Sequence, residues 1–335
     1  MTNSTKPNKN LLVRFLTMNT SGQTSGRSLP LWRQLLLQVM SLLILASVMF
    51  PIMYIVTLSF SSKSTRPSSL ELIPKEISFV AYKQVLEKPT GNPVTFIELL
   101  KNSFLLSMGV GAIALFIAVT AAYAFSRFKF KMREVLMILV FIPLLMPAVG
   151  LATPLYLLLN QVQVKECQDN SIAVQPFMTC ENGKGRLQFN LRDSLLGVGI
   201  AMTASALPFA VWNLKGYLDT IPRELEEAAA IDGADANQTF WQIVIPLAMP
   251  QLAVTFFLGF IGHWQEFVLT WLFLSQPKDY TLAMTLYNMT GQYANSVPWN
   301  RFAAMAVIVA LPVAVVYIAL QKQIVGGLTT GSVKG

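Results

Sequence analysis

Apolar runs of about 20 residues, the length at which a helix crosses the hydrocarbon core of a bilayer, recur along this chain between polar segments. Six are legible: 32–60, 102–125, 135–159, 195–214, 247–275 and 302–320. In lipid a spanning segment must satisfy its own backbone, and single apolar runs of this length do so as helices. The pattern predicts an all-α integral membrane protein with six transmembrane helices. Pro51 predicts a kink in the first span. The second is crowded with Gly109, Gly111, Ala112, Ala114, Ala118, Ala121 and Ala122, small residues that let helices approach closely. Pro143, Pro147 and Pro154 interrupt the third. They fit a broken helix lining protein or water, or a kinked packing helix.

The polar segments orient the chain. Arg127, Lys129, Lys131 and Arg133 fill the short loop after the second span. The positive-inside rule puts that loop, and with it both termini, in the cytoplasm. The chain then divides into an N-terminal tail (1–31), a first transmembrane helix (32–60), an outer loop (61–100), a core with five further spans (101–324) and a glycine-rich C-terminal tail (325–335). The core holds an outer insert (160–193) and a polar cytoplasmic segment (215–246). Composition agrees: 53% of the 335 residues are hydrophobic, only 13% are charged, and the mean hydropathy is +0.51. A soluble domain of this length needs more charged surface. Cytoplasmic lysines and arginines account for the net charge of +8, so membrane lipid is expected as a partner and nucleic acid is not.

The outer insert contains both cysteines, Cys167 and Cys180. An oxidising compartment on that side permits a disulfide, which would constrain a loop of about 14 residues by roughly 3 kcal/mol. Two cysteines and the single distant His263 make no metal site. Glu266 falls inside the fifth apolar run. A charge at mid-membrane costs on the order of 3 kcal/mol and belongs to a pore or a subunit interface, unless its head snorkels to the surface.

The cytoplasmic segment reads as two short helices with a break. Thr220 is positioned to cap the first, with Pro222 in its first turn. Glu224, Glu226 and Glu227 lie near the positive end of that helix. Ala228, Ala229 and Ala230 keep its surface low enough for another protein to approach. Gly233 is placed to end it. Asp235 and Gln238 form a reciprocal cap for the second helix, and Phe240, Trp241, Ile243 and Ile245 lead into the membrane, with Pro246 and Pro250 marking a bend. A plain amphipathic connector fits this pattern equally well. Six acids against Lys215 and Arg223 over residues 215–245 predict a basic partner surface.

Glu227-Ala228-Ala229, Gly233 and then Ile243-x-Ile245-Pro246 resemble the EAA motif of ABC-importer permeases, with Ile245 where leucine is usual. Asn102-Ser103, Ala121-Ala122-Tyr123-Ala124, Met146-Pro147, Pro154-Leu155-Tyr156 and Leu207-Pro208-Phe209 resemble carbohydrate-importer permeases. The ending, residues 327–335, is similar to that of the G subunit of maltose/maltodextrin permeases. The resemblance implies a type I ABC-importer permease fold in the cell inner membrane. It implies that Glu227, Ala228, Ala229, Gly233, Ile243 and Pro246 dock an ATPase, with Gly331 and Lys334 in a tail reaching toward it. It implies a second permease subunit of the F type, a dimer of ABC ATPase subunits and a periplasmic sugar-binding protein as partners.

No G-x-x-x-x-G-K-[ST] phosphate loop occurs; Lys184 in Asn-Gly-Lys-Gly lies in the outer insert. The chain is therefore expected not to be an enzyme and to hold no cofactor, with ATP and Mg bound by the partner ATPase. The resemblance implies import of maltose or maltodextrins. The alternatives are the same kind of permease for trehalose, a polyol or glycerol phosphate, and a self-contained secondary transporter. The latter would want inverted repeats and several midplane charges, and the two halves of the chain show no repeat.

Overall fold

Thr95 starts the helix around which the others pack. Its hydroxyl accepts from the Glu98 N–H at 3.4 Å, and the Glu98 carboxylate accepts from the Thr95 N–H at 2.8 Å. This reciprocal cap satisfies orphan donors at the helix start. The computed structural model describes residues 31–65, 76–146, 148–161, 179–181, 184–186, 191, 193–290 and 297–331. The chain falls into two compact units, Met1–Ile52 and Met53–Gly335. The apolar helix α1 (Leu31–Ser59) supplies everything described of the first, and the side chains from Trp32 to Ile52 are exposed.

In the second unit come α2 (Val80–Glu87), α3 (Phe96–Arg127), α4 (Arg133–Phe141), α5 (Ala148–Gln161), α6 (Leu195–Leu218), α7 (Glu224–Ile231), α8 (Ala236–Thr239), α9 (Ile245–Trp264), α10 (Val268–Phe273), α11 (Leu282–Thr290) and α12 (Trp299–Gly331). α3 packs along α6 and α9, and α9 packs in turn on α12. Small residues make these approaches possible. A Cβ on Gly111 would sit 3.2 Å from the Phe256 ring, and one on Gly199 would sit 3.5 Å from Leu106. One buried cluster joins Ala118, Ala122, Val211, Leu214, Leu218, Phe240 and Val244 at the α7 end of the bundle. At the other end Asn102 donates to the Lys278 and Tyr280 carbonyls at 2.8 and 3.1 Å, and the Ser103 hydroxyl accepts from the Leu282 N–H at 2.7 Å.

Among the described residues, five helices are long and apolar enough to cross a membrane: Trp32–Ser59, Phe96–Arg127, Leu195–Leu218, Ala236–Trp264 and Trp299–Ile324. The remaining predicted run, 135–159, is broken. A 3₁₀ turn at Ile142–Leu145, containing Pro143, separates α4 from α5. Proline lacks the N–H and crowds the carbonyl four residues back, so the helix cannot run through unchanged.

Several expectations need correction. The run 247–275 is not one span: α9 ends at Trp264 and a separate α10 begins at Val268. Segments read as loops contain α2 and α11, which bury Ala81, Val85, Leu282 and Met284. Each is too short for its periodicity to stand out. α12 continues through Gly331, into the segment read as the glycine-rich C-terminal tail. Among the described residues the fold is helical except for a small antiparallel pair within 160–193, β1 (Thr179–Glu181) and β2 (Lys184–Arg186), with Cys180 opposite Gly185. Cys167, the side chain of Cys180 and Lys334 lie outside the described residues.

Gly197 gives a sharp test of packing. A Cβ there would fall 1.7 Å from the Leu191 carbonyl oxygen. Gly197→Ala is expected to destabilise the detergent-solubilised protein by about 1–3 kcal/mol, seen as a lower thermal unfolding midpoint. Gly199→Ala, with only ordinary contacts, should stay close to wild type.

Candidate functional site

The polar segment between α6 and α9 forms an elbow. α6 extends to Leu218, and Asp219 closes it. Ile221 is buried beneath the turn, and α7 then runs from Glu224 to Ile231. Thr220 does not cap α7. Its hydroxyl donates to the Tyr217 carbonyl at 2.7 Å, closing the end of α6 instead. The cap position belongs to Arg223, which makes no side-chain cap. The Glu224, Glu226 and Glu227 carboxylates occupy the first turn, where the helix dipole favours negative charge.

Gly233 ends the helix at φ +90. There the Gly233 N–H donates to the Ala230 carbonyl and the Ala234 N–H reaches back to Ala229 at 2.9 Å. This double closure needs a left-handed residue. Asp235 and Gln238 cap α8 reciprocally, at 2.7 and 2.9 Å. Between α8 and α9 the chain makes a π turn at Phe240–Val244. Pro246, unable to donate and crowding the preceding turn, explains this widening. Ile243 is half-buried and Pro246 exposed.

The elbow is held against the end of α3. Arg127 Nε donates to Glu226 Oε1 at 2.5 Å, and the Tyr123 hydroxyl donates to Glu226 Oε2 at 3.0 Å. Arg127 also donates through Nη2 to the Ile221 carbonyl at 3.0 Å and through Nη1 to Ser126 Oγ at 3.2 Å. Arg223 Nη2 donates to the Ser126 carbonyl at 2.9 Å. Ser126 Oγ donates to Asp219 Oδ1 at 2.6 Å, and Lys215 Nζ meets Asp219 Oδ2 at 2.6 Å. Tyr123 also packs on Phe240, with ring centroids 4.9 Å apart. Sequence reading took Arg127 only as an orienting charge and Tyr123 only as part of a resemblance. The spacing Tyr-x-x-x-Arg, which puts both on one helix face, was the available signal.

Two site expectations change. Ala229 is buried, 7% exposed, so only Ala228 and Ala230 offer a low open surface. The acids are also not equivalent: Glu226 and Asp219 are paired within the chain and Asp235 caps α8. Glu224, Glu227 and Asp232 are exposed, with no side-chain partner among the described residues. Ile231, 86% exposed, adds an apolar knob beside them.

Glu266 stands in the break after α9, half-buried. Its carboxylate accepts from the Leu269 and Thr270 N–H groups at 2.7 and 3.4 Å, capping α10. It therefore has a local structural role. His263 sits on α9, its Nε2 buried without a partner among the described residues.

A family model described as "Binding-protein-dependent transport system inner membrane component" matches residues 93–328. The chain belongs to this family. Membership makes it an inner-membrane protein, and the matched stretch runs from the cap of α3 into α12, the elbow included. The maltose/maltodextrin transport system permease protein MalG of Vibrio vulnificus (strain YJ016) is 35% identical over 299 residues, which are 87% of this chain and 92% of the relative. MalG of Escherichia coli (strain K12) is 34% identical over 314 residues, 90% and 96% of the two chains. The galactooligosaccharides transport system permease protein GanQ of Bacillus subtilis (strain 168) is 30% identical over 305 residues, 91% and 95%. Among solved structures, a chain of a bacterial ABC transporter importing the acidic polysaccharide alginate superposes with a TM-score of 0.66 at 22% identity, covering 89% of this chain and 99% of that one. The fold is thus that of an ABC-importer permease.

The Asp219 contacts predict a pH dependence. Burial alone would raise this carboxyl. Hydrogen bonds from Lys215 and Ser126, with the charges of Lys215 and Arg133, outweigh burial and hold it below the ordinary aspartate range. A depressed carboxylate contributes stability that is full above the unfolded pKa of about 4 and is lost as pH falls through the folded value. Thermal unfolding between about pH 6 and pH 3 should show this loss in the wild type, and Asp219→Asn should lack that component.

Proposed function

We propose that this chain is a permease subunit of a maltose/maltodextrin-type ABC importer and that the elbow is where a separate ATPase grips it. Both termini lie in the cytoplasm, and the spans number six, counting α4 and α5 as one broken span. The partners are an F-type second permease, a pair of ABC ATPase subunits that carry ATP and Mg, and a periplasmic sugar-binding protein. The observation that carries the reading is the outer face of α7. Glu227, Ala228, Ala230 and Ile231 are all exposed on a helix whose other face is fixed to the bundle. A low surface with one apolar knob and unpaired acids fits a cleft lined by arginine or lysine. Both MalG relatives, each aligned over most of its length, support the sugar class. Closure of the ATPase pair on ATP would carry the elbows of the two permeases together and switch the spans from inward- to outward-facing, so that the binding protein delivers sugar into the opened cavity.

GanQ names a second reading at similar coverage, a galactooligosaccharide importer. Uptake of labelled maltodextrin against galactooligosaccharide, in vesicles rebuilt with the second permease, ATPase and binding protein, separates the two. ATP-driven maltodextrin uptake supports the proposal; uptake of the galactose series alone overturns the sugar assignment.

Docking is tested at two positions. Nothing lies within 4 Å of a Cβ on Gly233, so Gly233→Val acts through backbone strain on the order of 1–3 kcal/mol. It should reduce ATPase co-purification several-fold while membrane insertion stays normal. Glu227→Lys should impair coupled transport, with partial recovery when a basic residue on the ATPase is reversed to an acid. Wild-type uptake by Glu227→Lys would remove the ion pair from the proposal.

A further inference from the structure

The elbow is covalently continuous with α6 and α9, yet its strongest contacts are with α3, which is remote in sequence. We infer that Arg127, Tyr123 and Glu226 form a clasp that makes α3 a lever for the elbow, so that a push on α7 moves α3 instead of being absorbed in the loops. This rests on the importer reading above.

The argument starts from the weakness of α7 by itself. A helix of eight residues is marginal in isolation and could tilt about the turns that flank it. The clasp removes that freedom at three places. Arg127 takes the Ile221 carbonyl at the entry to the elbow, and Glu226 on α7 itself is held through both carboxylate oxygens. At the exit, the Phe240 ring packs at a tilt against Tyr123. The Arg127 and Glu226 side chains are only 8% and 14% exposed, so water competes little for the pair and its geometry is directional. Arg127 is also pinned to its own helix through Ser126 Oγ, and Arg223 reaches back to the Ser126 carbonyl, an acceptor the helix end leaves free. Above the clasp α3 packs along both α6 and α9, with its Gly111 against Phe256 of α9 and its Leu106 against Gly199 of α6. A displacement of its end is therefore a displacement of the bundle's central helix. Arg127, Tyr123 and Glu226 are positioning residues: they act through α7 and α3.

The test uses the full importer in vesicles, reading sugar uptake and ATP hydrolysis together with the amount of assembled complex. Tyr123→Phe removes one hydroxyl and keeps the ring on Phe240. Arg127→Lys keeps the charge and loses the fork, and Arg127→Ala loses both. The expected result is a rise in ATP consumed per sugar, about two- to threefold for Tyr123→Phe and about tenfold for Arg127→Ala, with Arg127→Lys between them. Amide exchange across residues 224–231 should quicken in the same order. If uptake and hydrolysis fall together in proportion to assembled complex, or if the ratio is unchanged while exchange quickens, the lever is overturned. Wild-type uptake in the same vesicles reports on the importer reading separately, so a failure confined to the variants belongs to the clasp alone.

Discussion

A nearly buried guanidinium at the end of a membrane span is the constraint on which the elbow depends. Arg127 is 8% exposed. A cation so placed loses most of its hydration, and leaving it unpaired would cost several kcal/mol. Its donors must therefore be met by protein. The Glu226 carboxylate, the Ile221 carbonyl and the Ser126 hydroxyl meet them. Two of these acceptors come from the elbow, so the elbow takes its shape partly to satisfy Arg127. The cation in turn lies at the negative end of α3, where the helix dipole favours it.

The rest of the bundle makes that arrangement stiff. Inside a membrane there is little hydrophobic force between helices, and close contact has to come from shape. Gly111 against Phe256 and Gly199 against Leu106 supply it along α3. At the far end Asn102 and Ser103 fasten the same helix to the segment around α11. α3 is thus tied at both ends by polar contacts and along its length by small residues. Trp264 adds a hydrogen bond from α9 to the Val309 carbonyl of α12 at 3.1 Å, extending the packed unit beyond the elbow's own neighbours.

What could be read from the chain was local. The Gly233 stop and the Asp235–Gln238 cap lie within a few residues of what they fix, and both stand as expected. Five spanning helices followed from length and hydropathy, and Pro143 stands in the turn that breaks the run 135–159. What escaped was settled by tertiary partners or by short elements. Thr220 has the chemistry of a cap, but its hydroxyl found the nearer Tyr217 carbonyl. Ala229 looked like open surface because alanine carries no mark of which way it faces. Glu266 looked like a charge within a span because the helix break beside it, which the carboxylate itself caps, leaves no proline or glycine in the segment from Trp264 to Val268. Arg127 and Glu226 are 99 residues apart, and nothing in one sequence joins them.

The two adjacent glutamates of α7 show how one short helix can be both anchored and available. Successive residues on an α-helix are turned by about 100°, so Glu226 and Glu227 cannot face the same way. Residues three apart share a face, and Ala229, three after Glu226, is buried with it. Four after Glu227 comes Ile231, exposed beside it. On the inner face Glu226 is spent on α3, and Ala229 is buried. The outer face, acid plus isoleucine, is left open. Shifting either acid by one position would put a charge into the bundle or withdraw the helix from α3. A motif of glutamate and alanine at this spacing therefore carries two instructions at once: which side of the helix belongs to the membrane bundle and which side is free for a partner.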